Sequence, residues 1–330
     1  MKVLIIQTAF IGDVILATPL FREIQVLIPG IELDVLVRKG NESLLENFPG
    51  ISKILIWEKK QRKFQNLTGL LQKIRSSNYD VVINLQRFAS TGFLTAFSGA
   101  KHRIGFSKNP LSFFFTDKVA HQIGGKTIIH ETERNLTLLH QFGQTANNRP
   151  VLYPSPADVA FVSAYKQSEY FCIAPTSVWF TKQVPAEKWL ELIQSLRQSS
   201  PTSTIYLLGG PADFPSCEKI KNTSGDAGIT NLSGKLSFLQ TAALMKDARM
   251  NFVNDSAPMH IASAMNAPVT AFFCSTVPRF GFGPLSDSQA IVEVDDLSCR
   301  PCGLHGYTKC PQGHFHCALK LNMNVRIPQR

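Results

Sequence analysis

From Lys2 to Gln7 the chain runs as one apolar stretch, the pattern of a strand covered on both faces in the middle of a parallel sheet. The loop Thr8 to Gly12 follows. From Asp13 an amphipathic period predicts a long helix to about Leu27, stopped by Pro29-Gly30. The alternation continues, with strands expected at 33–37, 53–57 and 80–85 and helices at 42–48, 64–75 and 91–97. Asn147 to Pro156 is polar and proline-rich and reads as a linker. After one helical pattern the series restarts: strand 170–174, helix 186–198, strand 204–208, helix 213–222 and helix 237–247. Strands separated by helical patterns predict βαβ units and a parallel sheet with helices on both faces. Two such series predict an α/β chain of two doubly wound domains facing a cleft, residues 1–154 and 155–330. Ligands of such sheets bind beyond the carboxyl ends of the strands.

Met250 to Met265 constrains function more than any other stretch. Residues 249–253 read as a buried strand, Asp255 and Ser256 are capping types, and Pro258 suits a first helical turn, where its missing N–H costs nothing. Ile261, Ala262 and Met265 continue a helical face, Pro268 ends it, and 269–274 reads as the next strand. A strand, a tight turn and a helix N-terminus aim backbone amides at one point, which suits a phosphate; His260 falls one turn into the helix. An ordinary capped corner with a core histidine fits the same letters.

Charge adds a bias. Residues 1–150 hold 19 Lys and Arg against 11 Asp and Glu, and the remainder 15 against 13, within a net charge of +10. A basic first half suggests an anionic partner: nucleic acid, an acidic membrane surface or a phosphorylated substrate. The basic residues are scattered, with no arginine-rich tail or RNA-binding signature, which disfavours nucleic acid. The amino-terminal pattern does not resemble a signal peptide, and no apolar run approaches the roughly 20 residues of a membrane span, so a cytoplasmic protein is expected.

Several positions carry candidate chemistry. Asp13, at the handover from first strand to first helix, is either a helix cap or a general base. The loop Ala174 to Pro185 brings Thr176, Ser177 and Lys182 in front of a helix, a phosphate-binding arrangement in kind but without a Walker or G-x-G-x-x-G pattern. Gly209-Gly210 makes a turn after a strand, required as often by tight geometry as by ligand approach. Cys299, Cys302, Cys310 and Cys317, with three histidines interspersed, contain one zinc-like C-x-x-C and one looser pair, so they bind metal, pair or stay free. No D-x-D is present to hold a divalent ion for a sugar nucleotide. A bound diphosphate then depends on Lys182, loop hydroxyls and the amides near Ser256.

Taken together these residues resemble the ADP-heptose:lipopolysaccharide heptosyltransferases of glycosyltransferase family 9. Gly12-Asp13 through Pro19 matches the family's opening G-D-hydrophobic-x-x-x-x-P, and Asp80–Leu85 with Ala100–Gly105 looks like its later strand and "arginine, apolar, glycine" turn. Lys182 with Pro185 is similar to its K-x-W-P loop, with Val184 in place of tryptophan. Leu232–Ser237 and Asn254–His260 match G-K-x-S and D-[ST]-G-x-x-H, and the cysteine tail looks like that of second-heptose members.

The resemblance implies a GT-B fold and an inverting reaction with no metal or other cofactor. Asp13 would take the acceptor proton. Lys182, with Thr176 and Ser177, would hold the diphosphate of an ADP-sugar. Gly209, Gly210, Asp255, Ser256, Ala257 and His260 would complete the sugar-nucleotide site, and Leu236 would pack on adenine. The acceptor would be a phosphorylated lipid A-core at the inner membrane face, met by Gly12, Arg62, Lys63, Lys101 and Arg103. Three departures stand out: Ala257 replaces a usual glycine, Gln7 a usually basic position, and Asn322 to Arg330 gives little pattern for a closing helix. Rival readings are a family 9 enzyme with another donor or a non-lipid acceptor, a sugar-nucleotide-binding scaffold without catalysis, and an NAD-dependent oxidoreductase. The last is disfavoured because no Gly-rich fingerprint follows the first strand.

Overall fold

The computed structural model describes residues 1–59, 63–125, 127–325 and 327, and the chain divides into two compact units, Met1–Tyr153 and Pro154–Arg330. In the first unit the elements are β1 (Lys2–Ile6), α1 (Ile11–Leu27), β2 (Glu32–Arg38), β3 (Ile51–Trp57), α2 (Lys63–Ser76), β4 (Val81–Asn84), α3 (Ala89–Ala96), β5 (His102–Phe106), β6 (Asp117–Val119) and α4 (Glu131–Leu136). The second unit opens with α5 (Pro156–Val162), β7 (Tyr170–Ala174), α6 (Ala186–Ser199), β8 (Thr204–Leu207) and α7 (Phe214–Ser224). It continues through β9 (Ile229–Asn231), α8 (Phe238–Lys246), β10 (Met250–Asn254), α9 (Ala257–Ala264), β11 (Val269–Phe273), β12 (Gln289–Glu293) and α10 (His316–Leu319).

Each unit is built on a six-stranded sheet, in order β3-β2-β1-β4-β5-β6 and β12-β11-β10-β7-β8-β9, with every pairing parallel. Counted from the first strand of each unit, both follow the dinucleotide-fold order 3-2-1-4-5-6. The strand order therefore reverses between β1 and β4 in one sheet and between β7 and β10 in the other. A crevice forms beyond the carboxyl ends at such a reversal, and there the loops carry ligands. The central strands β1, β4, β7, β10 and β11 are buried almost throughout, as continuous apolar runs require.

Helix α1 contains an interior proline, Pro19, which can donate no hydrogen bond to the Ile15 carbonyl. The Thr18 hydroxyl takes over that acceptor at 2.7 Å, and itself accepts from the amide of Val151 at 2.9 Å. A buried break in the helical ladder is thereby satisfied and tied to the end of the first unit.

The structure departs from expectation at several elements. Residues 42–48 form only a single 3-10 turn, Glu42–Leu44, and Asn41 makes no side-chain capping bond, its Nδ2 donating to the Ala9 carbonyl at 3.0 Å. The segment Ala100–Gly105, expected as a turn, leads into and forms most of β5. Gly105 is needed there because a Cβ would meet the Phe115 ring at 2.6 Å. Strands β6, β9 and β12 and helix α4 lacked a legible pattern. Among the described residues no helix follows Leu319, and none is long and apolar enough to cross a membrane.

Candidate active site

The loops at the strand-order reversal of the second sheet converge on a buried ion pair. Lys182 Nζ lies 2.6 Å from Asp255 Oδ2, with both side chains largely withdrawn from solvent. The Thr276 hydroxyl donates to the same oxygen at 2.6 Å. Asp255 follows β10, Lys182 ends the 3-10 turn Phe180–Lys182 after β7, and Thr276 follows β11, so three adjacent strands each supply one group. Removing one member of a buried pair strands the other charge, at a cost of roughly 3–5 kcal/mol. The pair thus fixes the ammonium in place and leaves its remaining N–H bonds for an anion.

Asn254, the last residue of β10, fastens the lysine loop to the sheet. Its Oδ1 accepts from the Val184 amide (2.9 Å) and its Nδ2 donates to the carbonyls of Ala174 (3.4 Å) and Thr176 (3.3 Å). Val184 is buried, and the Trp189 indole donates to its carbonyl at 3.0 Å. Thr176 and Ser177 are half-buried beside this loop, and the Ser177 carbonyl accepts from Gln183 Nε2 at 2.7 Å.

Ser256 is the N-cap of α9 but makes no side-chain capping bond; in the first turn Pro258 has no N–H and the Met259 amide donates to the Ser256 carbonyl at 3.0 Å. Ala257 and Pro258 open the helix in ordinary geometry, so no glycine is needed for the fold at that position. His260 is buried one turn in. The glycine turn after β8 has a local cause. A Cβ on Gly209 would lie 2.7 Å from that of Asp213, and the Gly210 amide donates to Asp213 Oδ2 at 2.7 Å. This turn meets the loop after β9, where the Gly234 amide donates to the Gly209 carbonyl (2.9 Å) and half-buried Leu236 precedes the α8 cap Ser237.

The cysteine-bearing tail packs under the lysine loop. Thr181 and Tyr307 exchange hydrogen bonds, Thr181 N to the Tyr307 carbonyl at 3.1 Å and Tyr307 N to Thr181 Oγ1 at 2.8 Å. Ser275 Oγ donates to the same Thr181 hydroxyl (3.0 Å), and the Cys302 amide donates to the Ser275 carbonyl (3.0 Å). Gly306 fits where a Cβ would meet Trp179 Cβ at 2.4 Å and Lys182 Cγ at 2.9 Å. Arg300 reaches back from the tail to the carbonyls of Cys274 (2.6 Å) and Thr276 (2.7 Å) and to Glu293. Sequence reading counted Thr181 among the loop hydroxyls but missed Thr276, Arg300 and Tyr307; hydroxyls directly after the buried strand β11 were the one available signal.

All seven cysteines are free thiols, and among the described residues no group of three or more His, Cys, Asp or Glu side chains is arranged to hold a metal ion. Cys299 Sγ lies 3.8 Å from His314 Nε2. Burial, with the neighbouring Cys302, Cys310 and Cys299, pushes the Cys317 thiol up to about 11; Cys302 is also raised, first by burial and then by Cys299 and Cys310.

In the first unit Asp13 is the third residue of α1, half-buried, and its Oδ2 accepts from the Phe10 amide at 3.1 Å. The capping reading is therefore realised, and the carboxylate also stands at the carboxyl edge of β1. Gln7, at the end of β1, is buried and accepts from Gln86 Nε2, which joins the two loops at the strand-order reversal. Lys59 donates to Thr8 through its carbonyl (2.6 Å) and hydroxyl (3.0 Å), adding a cation that sequence reading passed over. Gly12 lies within the first turn of α1. Arg62 falls outside the described residues, as does the side chain of Lys63. Lys101 and Arg103 are not beside Asp13: they lie at the amino end of β5, whereas Asp13 follows the carboxyl end of the parallel strand β1. Arg103 spends its guanidinium on the carbonyls of Ala100 (2.6 Å) and Phe114 (3.1 Å).

Two Rossmann-like sheets of this order, one bearing a cation fixed for an anionic group, are the fold of the GT-B glycosyltransferases. Within that class the chain belongs to glycosyltransferase family 9 (heptosyltransferase), whose pattern matches residues 67–309. It is 25% identical to lipopolysaccharide heptosyltransferase 1 of Pseudomonas aeruginosa, covering 92% of this chain and 86% of that one. Its fold is similar to Escherichia coli ADP-heptose lps heptosyltransferase II, with TM-score 0.76, 20% identity and coverage of 97% and 98%. It is also similar to E. coli heptosyltransferase WaaC with ADP-2-deoxy-2-fluoro heptose, with TM-score 0.71, 20% identity and the same coverage.

Proposed function

We propose that the enzyme transfers heptose from ADP-heptose to the inner core of lipopolysaccharide, by an inverting displacement that requires no metal, at the cytoplasmic face of the inner membrane. The observation that carries this reading is the Lys182–Asp255 pair with Thr276 at the strand-order reversal of the second sheet. The sugar nucleotide named with the E. coli WaaC structure and the names of the lipopolysaccharide heptosyltransferase relatives support the donor and acceptor.

In this reading Asp13 accepts the proton of the acceptor hydroxyl. The oxygen attacks the anomeric carbon from the face opposite ADP, and the bond to the diphosphate breaks as the new one forms. Lys182 and the positive amino-terminal end of α9 stabilise the negative charge gathering on the departing diphosphate. Thr176, Ser177, Gly209, Gly210, Asp255, Ser256, Ala257 and His260 line the nucleotide-sugar site, and Leu236 packs on adenine. The first unit binds the acceptor, with Gly12, Arg62 and Lys63 contacting its phosphorylated core, and the second binds the donor.

The test pairs calorimetry with transfer assays. ADP-heptose is expected to bind in preference to UDP- and GDP-sugars. Asp13→Asn is expected to lower transfer by roughly two to four orders of magnitude while ADP affinity stays nearly unchanged. Equal loss of ADP binding in that variant, or full inhibition by a chelator, would overturn the mechanism.

A further inference from the structure

The first unit carries an apolar surface that the transfer chemistry leaves unused. Phe97, Phe113 and Phe114 are 40%, 67% and 43% exposed. Their rings form a row, with centroids 5.5 Å apart for Phe97–Phe114 and 4.3 Å for Phe113–Phe114, and Phe93 joins Phe97 at 5.1 Å. The row lies at the carboxyl end of α3 and on the loop that follows β5.

These rings are held outward by a built scaffold. Asn109 Nδ2 donates to the carbonyls of Gln86 (2.8 Å) and Phe88 (3.1 Å), and its Oδ1 accepts from the Leu111 amide (3.0 Å). Gly92 leaves the space this needs, since a Cβ there would lie 2.1 Å from Asn109 Oδ1. Ser112 Oγ donates to the Ser107 carbonyl at 3.0 Å, Arg103 holds the Phe114 carbonyl, and Phe115 turns inward and is buried. A surface pre-shaped in this way loses little entropy on binding.

Residues 86–120 contain five basic side chains, Arg87, Lys101, Arg103, Lys108 and Lys118, against one acid, Asp117. Asp117 is paired with His140 at 3.4 Å. Aromatic rings bordered by cations match a bilayer surface, where rings enter the headgroup boundary and cations meet lipid phosphates. A second copy of the chain fits less well, because a two-fold contact would press this basic fringe against itself. We propose that this aromatic row, centred on Phe97, Phe113 and Phe114 and bordered by Lys101 and Lys108, docks the enzyme on an anionic lipid bilayer. The inference rests on the proposed function only in giving a membrane-borne acceptor for the docked enzyme to reach.

The full chain is sedimented with vesicles of phosphatidylethanolamine and phosphatidylglycerol that contain no glycolipid, and with neutral phosphatidylcholine vesicles. Wild type is expected to bind the anionic vesicles and to bind the neutral ones much more weakly. F113S/F114S is expected to lose about tenfold or more of the partition coefficient. K101Q/K108Q is expected to lose roughly fivefold for each lysine removed. F113S/F114S keeps wild-type transfer to a water-soluble acceptor and wild-type sedimentation velocity. Failure of wild type to bind anionic vesicles, undiminished binding by F113S/F114S, or a change in its oligomeric state overturns the docking surface. Absence of transfer to the soluble acceptor by wild type bears on the proposed chemistry alone.

Discussion

Lys182 is held by an acid and steered by a hydroxyl, and the hydroxyl is the more informative of the two partners. Asp255 shares one oxygen between Lys182 and Thr276. Without Thr276 the carboxylate loses a hydrogen bond that fixes its orientation, and the ammonium it holds is placed less exactly for an incoming diphosphate. A hydrogen bond to a charged group contributes roughly 1.5–3 kcal/mol. Thr276→Val is therefore expected to reduce kcat/KM for the donor by roughly ten- to a hundredfold, while Thr276→Ser, which keeps the donor atom, restores most of it. Steady-state kinetics on both variants decides the matter; equal impairment would point to packing. Lys182 and Asp255 were legible in the sequence because both are charged residues in loops following apolar runs. Thr276 was not, since one hydroxyl among many carries no pattern until the sheet brings β11 beside β10.

At the scale of elements, the tail from Cys299 to Cys317 acts as a brace beneath the lysine loop. Gly306 touches both Trp179 and Lys182, so any side chain there displaces the loop. Gly306→Val is expected to raise KM for the donor or lower kcat by about tenfold or more through misplacement. Thermal unfolding of the variant should stay near that of wild type, because the core strands are untouched. A large drop in melting temperature with unchanged kinetics in the folded fraction would refute the brace.

The start of α4 is an anchor of another kind. Burial pushes the Glu131 carboxyl up, but hydrogen bonds and charges from His121 and Arg134 outweigh it and hold the group below its ordinary 4.5. A depressed carboxylate contributes stability that is complete above its unfolded value and lost as pH falls through the folded one. Glu131→Gln should then be destabilised by roughly 3–5 kcal/mol near neutral pH. Urea unfolding of the variant and wild type should converge as the medium is acidified below the carboxylate range. The strands that went unread, β5, β6, β9 and β12, share a cause. They lie toward or at the sheet edges, two have only three residues, and polar positions such as His102, Arg103 and Asp117 interrupt their apolar period.

For the whole molecule, the repeated use of one strand order explains why so much of the fold could be read. Alternating buried strands and amphipathic helices leave a parallel sheet as the economical arrangement, and the right-handed crossover fixes the order to a few choices. What no one-dimensional pattern conveyed was which edge each cation occupies. Lys101 and Arg103 looked suited to a phosphorylated acceptor by charge alone, yet their strand starts where the strand leading to Asp13 also starts.

Thr18 sits at the buried middle of the helix that carries Asp13, and its oxygen also grips the backbone of Val151. The segment leaving the first unit is therefore joined to the helix of the proposed base twice, once through the chain and once through a single buried hydroxyl. Thr18→Val is expected to leave both the Ile15 carbonyl and the Val151 amide without that partner, and urea unfolding should show the loss.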